Sequence, residues 1–102
     1  MSEELPLPDL HQSEVSEETL KQLFTDVGLH AEIHEIIPKH APGYVADNPE
    51  SLQLDEAFAG LVSREFRGLQ LRYRYDGKTW WDTLMPIPGG LYRIVRIEHN
   101  FL

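Results

Sequence analysis

The stretch that decides the fold is Leu69-Gln70-Leu71-Arg72-Tyr73-Arg74-Tyr75-Asp76-Gly77-Lys78-Thr79-Trp80-Trp81-Asp82-Thr83-Leu84-Met85. Its first seven residues alternate apolar and polar, the period of a half-buried strand. Asp76-Gly77 is a strong two-residue hairpin signal, and an extended pattern resumes at Lys78. A two-residue turn fixes the pairing. Tyr75 opposes Lys78, Tyr73 opposes Trp80, Leu71 opposes Asp82 and Leu69 opposes Leu84. On the other face Arg74 opposes Thr79, Arg72 opposes Trp81 and Gln70 opposes Thr83. The first face is the apolar one and is expected to meet the core. The second is expected to meet solvent or a partner, and a one-residue bulge would exchange them.

Working outward, Pro86 to Gly90 turns the chain, and Leu91 to His99, rich in Ile, Val and Tyr, reads as a third strand. Upstream, Leu54, Phe58, Leu61, Val62 and Phe66 make a helical stripe. Asn48-Pro49-Glu50 is its expected start, Gly68 its expected stop, and Gly60 a point of close packing. Leu20, Leu23, Phe24 and Val27 make another stripe, opened by Ser13 or Ser16 and ended at Gly28. Residues 29–37 fit a strand or a helix, and Gly28, the isoleucines and Pro38 favour the strand. The expectation is an α+β domain. Two helices pack on one face of an antiparallel sheet with a C-terminal three-stranded meander, and residues 29–37 are a candidate fourth strand.

The whole chain, 102 residues with 41% hydrophobic content, is about one domain's worth. It has no cysteine, which excludes disulfides, thiolate metal sites and a cysteine nucleophile. No apolar run approaches the roughly 20 residues of a membrane span, and the acidic start is unlike a signal peptide, so a cytoplasmic protein is expected. The net charge of −8 is unevenly spread, with −6 in residues 1–18, −4 in 19–68 and +2 in 69–102. Residues 1–12, with Pro6 and Pro8, read as a flexible acidic leader to a single domain over 13–102. The overall acidity argues against nucleic acid as a partner.

Two functional readings follow. The first is a non-catalytic binding module using the Arg/Trp-bearing sheet face, with Arg72, Arg74, Trp81 and Thr83 as binding residues and Tyr44 on a neighbouring loop. A tryptophan among arginines suits recognition of flat or anionic groups, and its partner is expected to be a protein or an acidic segment. The competing account is that the arginine stems simply cover the ring. In one version the leader folds over this face and competes with the partner. The second reading is a small-ligand or catalytic domain built on Tyr73, Asp82, Arg93 and His99. Asp82 points inward in this register, where an unpaired carboxylate is costly, and Arg93 is its expected partner if the third strand turns Leu91, Arg93, Val95 and Ile97 to the core.

No catalytic set or cofactor is implied. Ser51 and Ser63 lack a nucleophile-elbow context, and Gly89-Gly90 is a turn without a following helix start. Five histidines (His11, His30, His34, His40, His99) raise a metal reading. His30 and His34 would share a helical face but find no third ligand, so no metal is assigned. The chain is expected to be a monomer or a weak homodimer joined through the sheet edge or the Trp81 face.

Overall fold

In the computed structural model, which describes residues 10–40 and 52–99, the chain forms five strands and two helices. In chain order these are β1 (Leu10–Ser16), α1 (Glu17–His30), β2 (Glu32–Lys39), α2 (Leu54–Val62), β3 (Gly68–Tyr75), β4 (Lys78–Ile87) and β5 (Leu91–His99). The strands make one antiparallel sheet in the order β1-β5-β4-β3-β2. The two earliest strands thus form its opposite edges, and α1 carries the chain across one face from edge to edge. The expected α+β arrangement is present, with one strand more than the sequence suggested.

The additional strand is β1, and it corrects the reading of the N-terminal region. Leu10 to Gln12 pair with Ile97 to Val95, so these residues belong to the sheet. Residues 1–9 lie outside the described part. β1 is polar along most of its length, without a strand period, and it is held by ladder hydrogen bonds to β5 that no local pattern announces.

Ser16 closes β1 and caps α1, its hydroxyl accepting from the Thr19 amide at 3.2 Å. Glu17 and Glu18 lie in the first turn, where the helix dipole favours acids. Leu20, Phe24 and Val27 are buried as their spacing requires. Gly28 does not stop this helix, which runs to His30; a Cβ at Gly28 would lie 3.2 Å from Leu54 Cδ1, so the glycine admits α2 instead.

β2 settles the ambiguous segment as a strand with a bulge between Ile33 and Glu35. α2 begins at Leu54 behind the cap residue Gln53; the expected start at Asn48 to Glu50 lies outside the described residues. It ends at Val62, six residues before the expected Gly68, which instead opens β3. A Cβ at Gly60 would collide with the Phe66 ring, which folds back onto the helix after it ends.

The β3–β4 hairpin has the expected register at every pair. Asp76 and Gly77 both adopt positive φ (56° and 76°), as a type I′ turn requires. Leu69, Leu71, Tyr73, Leu84, Tyr92 and Ile94 face the helices and build the core with Leu20, Phe24, Ala57 and Leu61. Among the described residues, no helix lies over the opposite face. Among the described residues no helix is long and apolar enough to cross a membrane.

Candidate functional site

The two faces of the sheet each carry a cluster of arginine, carboxylate and aromatic groups. On the helix side, Leu71, Asp82 and Arg96 form one rung across β3, β4 and β5. The Asp82 side chain is 0% exposed. Arg96 grips it with Nε at 3.0 and 3.1 Å and Nη2 at 2.8 Å, and the Tyr73 hydroxyl donates to Oδ2 at 2.8 Å. Every carboxylate oxygen is therefore occupied, which is what removal of a charge from water demands.

Burial, and then the negative charge of Asp82, raises the Tyr73 phenol well above its ordinary range. The hydrogen bonds to Asp82 raise the Arg96 guanidinium as well. Tyr73 and Arg96 border a groove of about 520 Å³ beside α1, with Gln22, Asp26, His30 and Tyr75 also on its walls. Asp82 is fully buried beneath this groove and is not among the residues that line it.

The expected partner Arg93 is thereby corrected to Arg96. The β4–β5 connection, Pro88-Gly89-Gly90, pairs Ile87 with Leu91 across three residues and so aligns even positions with even. Asp82 then faces Arg96, while Arg93 and His99 lie on the opposite face. The two phases of β5 are nearly equivalent in composition: Leu91, Arg93, Val95 and Ile97 against Tyr92, Ile94 and Arg96. Only the length of the turn distinguishes them. Of the second predicted set, Tyr73 and Asp82 meet, and Arg93 and His99 do not join them.

On the open side, Arg72 and Trp81 are paired residues of β3 and β4. The Arg72 guanidinium lies 3.8 Å from the Trp81 ring centroid, and the His99 ring stacks on Trp81 at 3.7 Å. Arg72 Nε donates to Gln70 Oε1 at 2.8 Å and Nη1 to Glu35 Oε1 at 2.9 Å, and Gln70 donates to Thr83 at 3.3 Å. Four of the first predicted set, Arg72, Arg74, Trp81 and Thr83, thus share one face. Tyr44 lies outside the described residues. His99, read as part of the other cluster, belongs here, and it is reached because Thr79 pairs with it across β4 and β5. Arg93 holds Glu14 at 3.2 Å on the same face, and Leu91 and Ile97 are 36% and 38% exposed there.

The histidines do not converge. His34 lies in the β2 bulge, 3.8 Å from Glu32, and His30 ends α1. Among the described residues no three His, Cys, Asp or Glu side chains are grouped to hold a metal. Compared with known proteins, the chain matches no family model, no curated protein and no solved structure.

Proposed function

We propose that the protein is a non-catalytic, cytosolic interaction module that takes an acidic segment of a partner protein on the open face of its sheet. One observation carries this reading: Trp81, at the centre of a face over which no helix lies among the described residues, packs against both the Arg72 guanidinium and the His99 ring. The half-exposed ring holds guanidinium donors for carboxylates beside it. Charge supports the choice of an acidic partner. The open face carries Lys39, Arg72, Arg74 and Arg93 against Glu14, Glu32 and Glu35, whereas the two helices carry five carboxylates and one lysine. An acidic chain meets less repulsion on the sheet side than over the two helices.

The test is titration of a Glu-rich peptide into the full chain at low salt, followed by tryptophan emission and by amide shifts in β3, β4 and β5. The expected result is a change in emission that Trp81→Phe abolishes while Trp80→Phe preserves it. No change in emission or shifts would leave Arg72 as nothing more than a cover for the ring. A companion truncation ending before Leu10 asks whether the acidic residues 1–9 compete for the face without cutting into β1.

A second reading, small-ligand binding in the groove beside Arg96 and Tyr73, draws on the position of those two polar groups on its wall. Asp82 serves it only by holding them in place, since its oxygens are already engaged.

A further inference from the structure

A second cleft, of about 580 Å³, lies at the other end of the sheet, where the α2–β3 connection passes the ends of β2, β4 and β5. Its charged lining is Lys39, Arg64, Arg67 and Arg93, with no carboxylate among the lining residues. Four cations in one cleft are unexpected in a chain of net charge −8. They come from three separate segments, so no local run of basic residues announces them. We propose that this cleft binds a small, doubly charged oxyanion (a phosphate or a dicarboxylate) that carries an apolar group.

The cations are held from their backbones. Arg67 N–H donates to the Lys39 carbonyl at 2.8 Å, which fixes the roots of both side chains side by side. Arg64 takes the left-handed position just beyond the end of α2, at φ 66°, where glycine is the usual occupant. A side chain there is strained, and here it reaches across the cleft to the Ile87 carbonyl at 3.3 Å. Glu14 engages Arg93 at 3.2 Å. Lys39 and Arg67 have no ion-pair partner among the described residues. Two guanidinium forks and an ammonium suit an oxyanion with several acceptor oxygens. Met85, Pro86, Ile87 and the edge of Phe66 supply an apolar wall beside them, which suits a ligand with a hydrocarbon or ring portion.

The experiment is an NMR titration of the full chain with phenyl phosphate, inorganic phosphate and phthalate, each at low salt. Saturable shifts are expected at the amides of residues 64–68 and 85–87, with phenyl phosphate binding more tightly than inorganic phosphate. Preference for phenyl phosphate or for phthalate identifies which oxyanion the cleft takes. Lys39→Gln and Arg67→Gln should each weaken binding by about tenfold. Arg64→Gly should weaken it too while folding as well as the parent, because glycine adopts positive φ without strain. Raising salt from about 50 to about 300 mM should weaken binding further. Shifts of equal size near Arg72, Arg74 and Arg96, or unchanged affinity in all three variants, would overturn the proposal. Trp81→Phe should leave this binding intact, so the cleft, which shares Lys39 and Arg93 with the open face, can fail independently of the Trp81 site.

Discussion

Two neighbouring rungs of the sheet use similar chemistry on opposite faces. Leu71, Asp82 and Arg96 point to the helices, and Arg72, Trp81 and Ile97 point away. Both rungs place a guanidinium against a partner within 4 Å, Asp82 inside and Trp81 with Glu35 outside. The difference is water. Inside, a carboxylate without its partners faces a large desolvation cost, so the cluster behaves as a unit. Outside, solvent takes the place of any partner that leaves, and the residues stay available for binding. The inner cluster makes one structure; the outer one can meet another molecule.

The largest effect expected from this contrast is on the inner rung. Arg96→Met leaves the Asp82 carboxylate buried and half-satisfied, and should cost about 3–5 kcal/mol in chemical denaturation. The double variant Arg96→Met with Asp82→Leu removes both charges and should recover most of that loss. Recovery shows that the single variant suffers from an orphaned charge. A double variant as unstable as the single would mean that the pair itself supplies the stability, and the contrast between faces would need another basis.

Tyr73→Phe comes next, because it deletes a hydrogen bond to a charged, buried acceptor, at about 1.5–3 kcal/mol. It also predicts a pH dependence. Burial and Asp82 raise the Tyr73 phenol above 10.0, its ordinary value, so above that pH the unfolded chain releases a proton that the folded chain keeps. Its contribution to stability is fully present below pH 10 and declines as the pH rises past it. Denaturation midpoints measured from neutral into alkaline solution should therefore fall more steeply for the parent than for Tyr73→Phe. Equal alkaline slopes would show that Tyr73 ionises as freely in the fold as out of it.

These clusters differ in how far the sequence discloses them. The hairpin register follows from Asp76-Gly77 alone, because a type I′ turn leaves no choice of partners and the alternation from Leu69 to Tyr75 selects the inner face. That register is enough to place Trp81 outside and Asp82 inside. The identity of the partner of Asp82 depends on the next turn, where Pro88-Gly89-Gly90 precedes two phases of β5 that differ by a single apolar residue. β1 is harder still. Its Gln12, Ser13 and Glu14 carry no strand signal, and the edge position is set by β5, about eighty residues later. The cationic cleft lies beyond any local reading, since Lys39, Arg64 and Arg93 meet only when three connections are in place.

On the open face the expected effects shrink. Trp81→Ala uncovers His99 and frees Arg72, but the ring is only half-buried, so the loss should be about 1 kcal/mol, well under that of a core aromatic. Its consequence should appear mainly in binding of the acidic peptide. A loss matching that of Arg96→Met would mean that Trp81 is a structural element, and the open face would no longer differ in kind from the covered one.

The smallest effect is expected at Glu35, and it is the most discriminating. The Arg72–Glu35 pair at 2.9 Å is as short as the inner bonds, yet the Glu35 side chain is 56% exposed. If distance governed energy, Glu35→Gln would cost as much as a change at Asp82. If solvent governs it, the cost should be under about 0.5 kcal/mol and should vanish as salt is raised. Removing Glu35 also leaves Arg72 with one fewer carboxylate to satisfy, so the same variant should bind a Glu-rich peptide more tightly than the parent. A stability loss with no gain in binding would assign Arg72 to the fold, as Arg96 is assigned; the opposite pair of results assigns it to the partner.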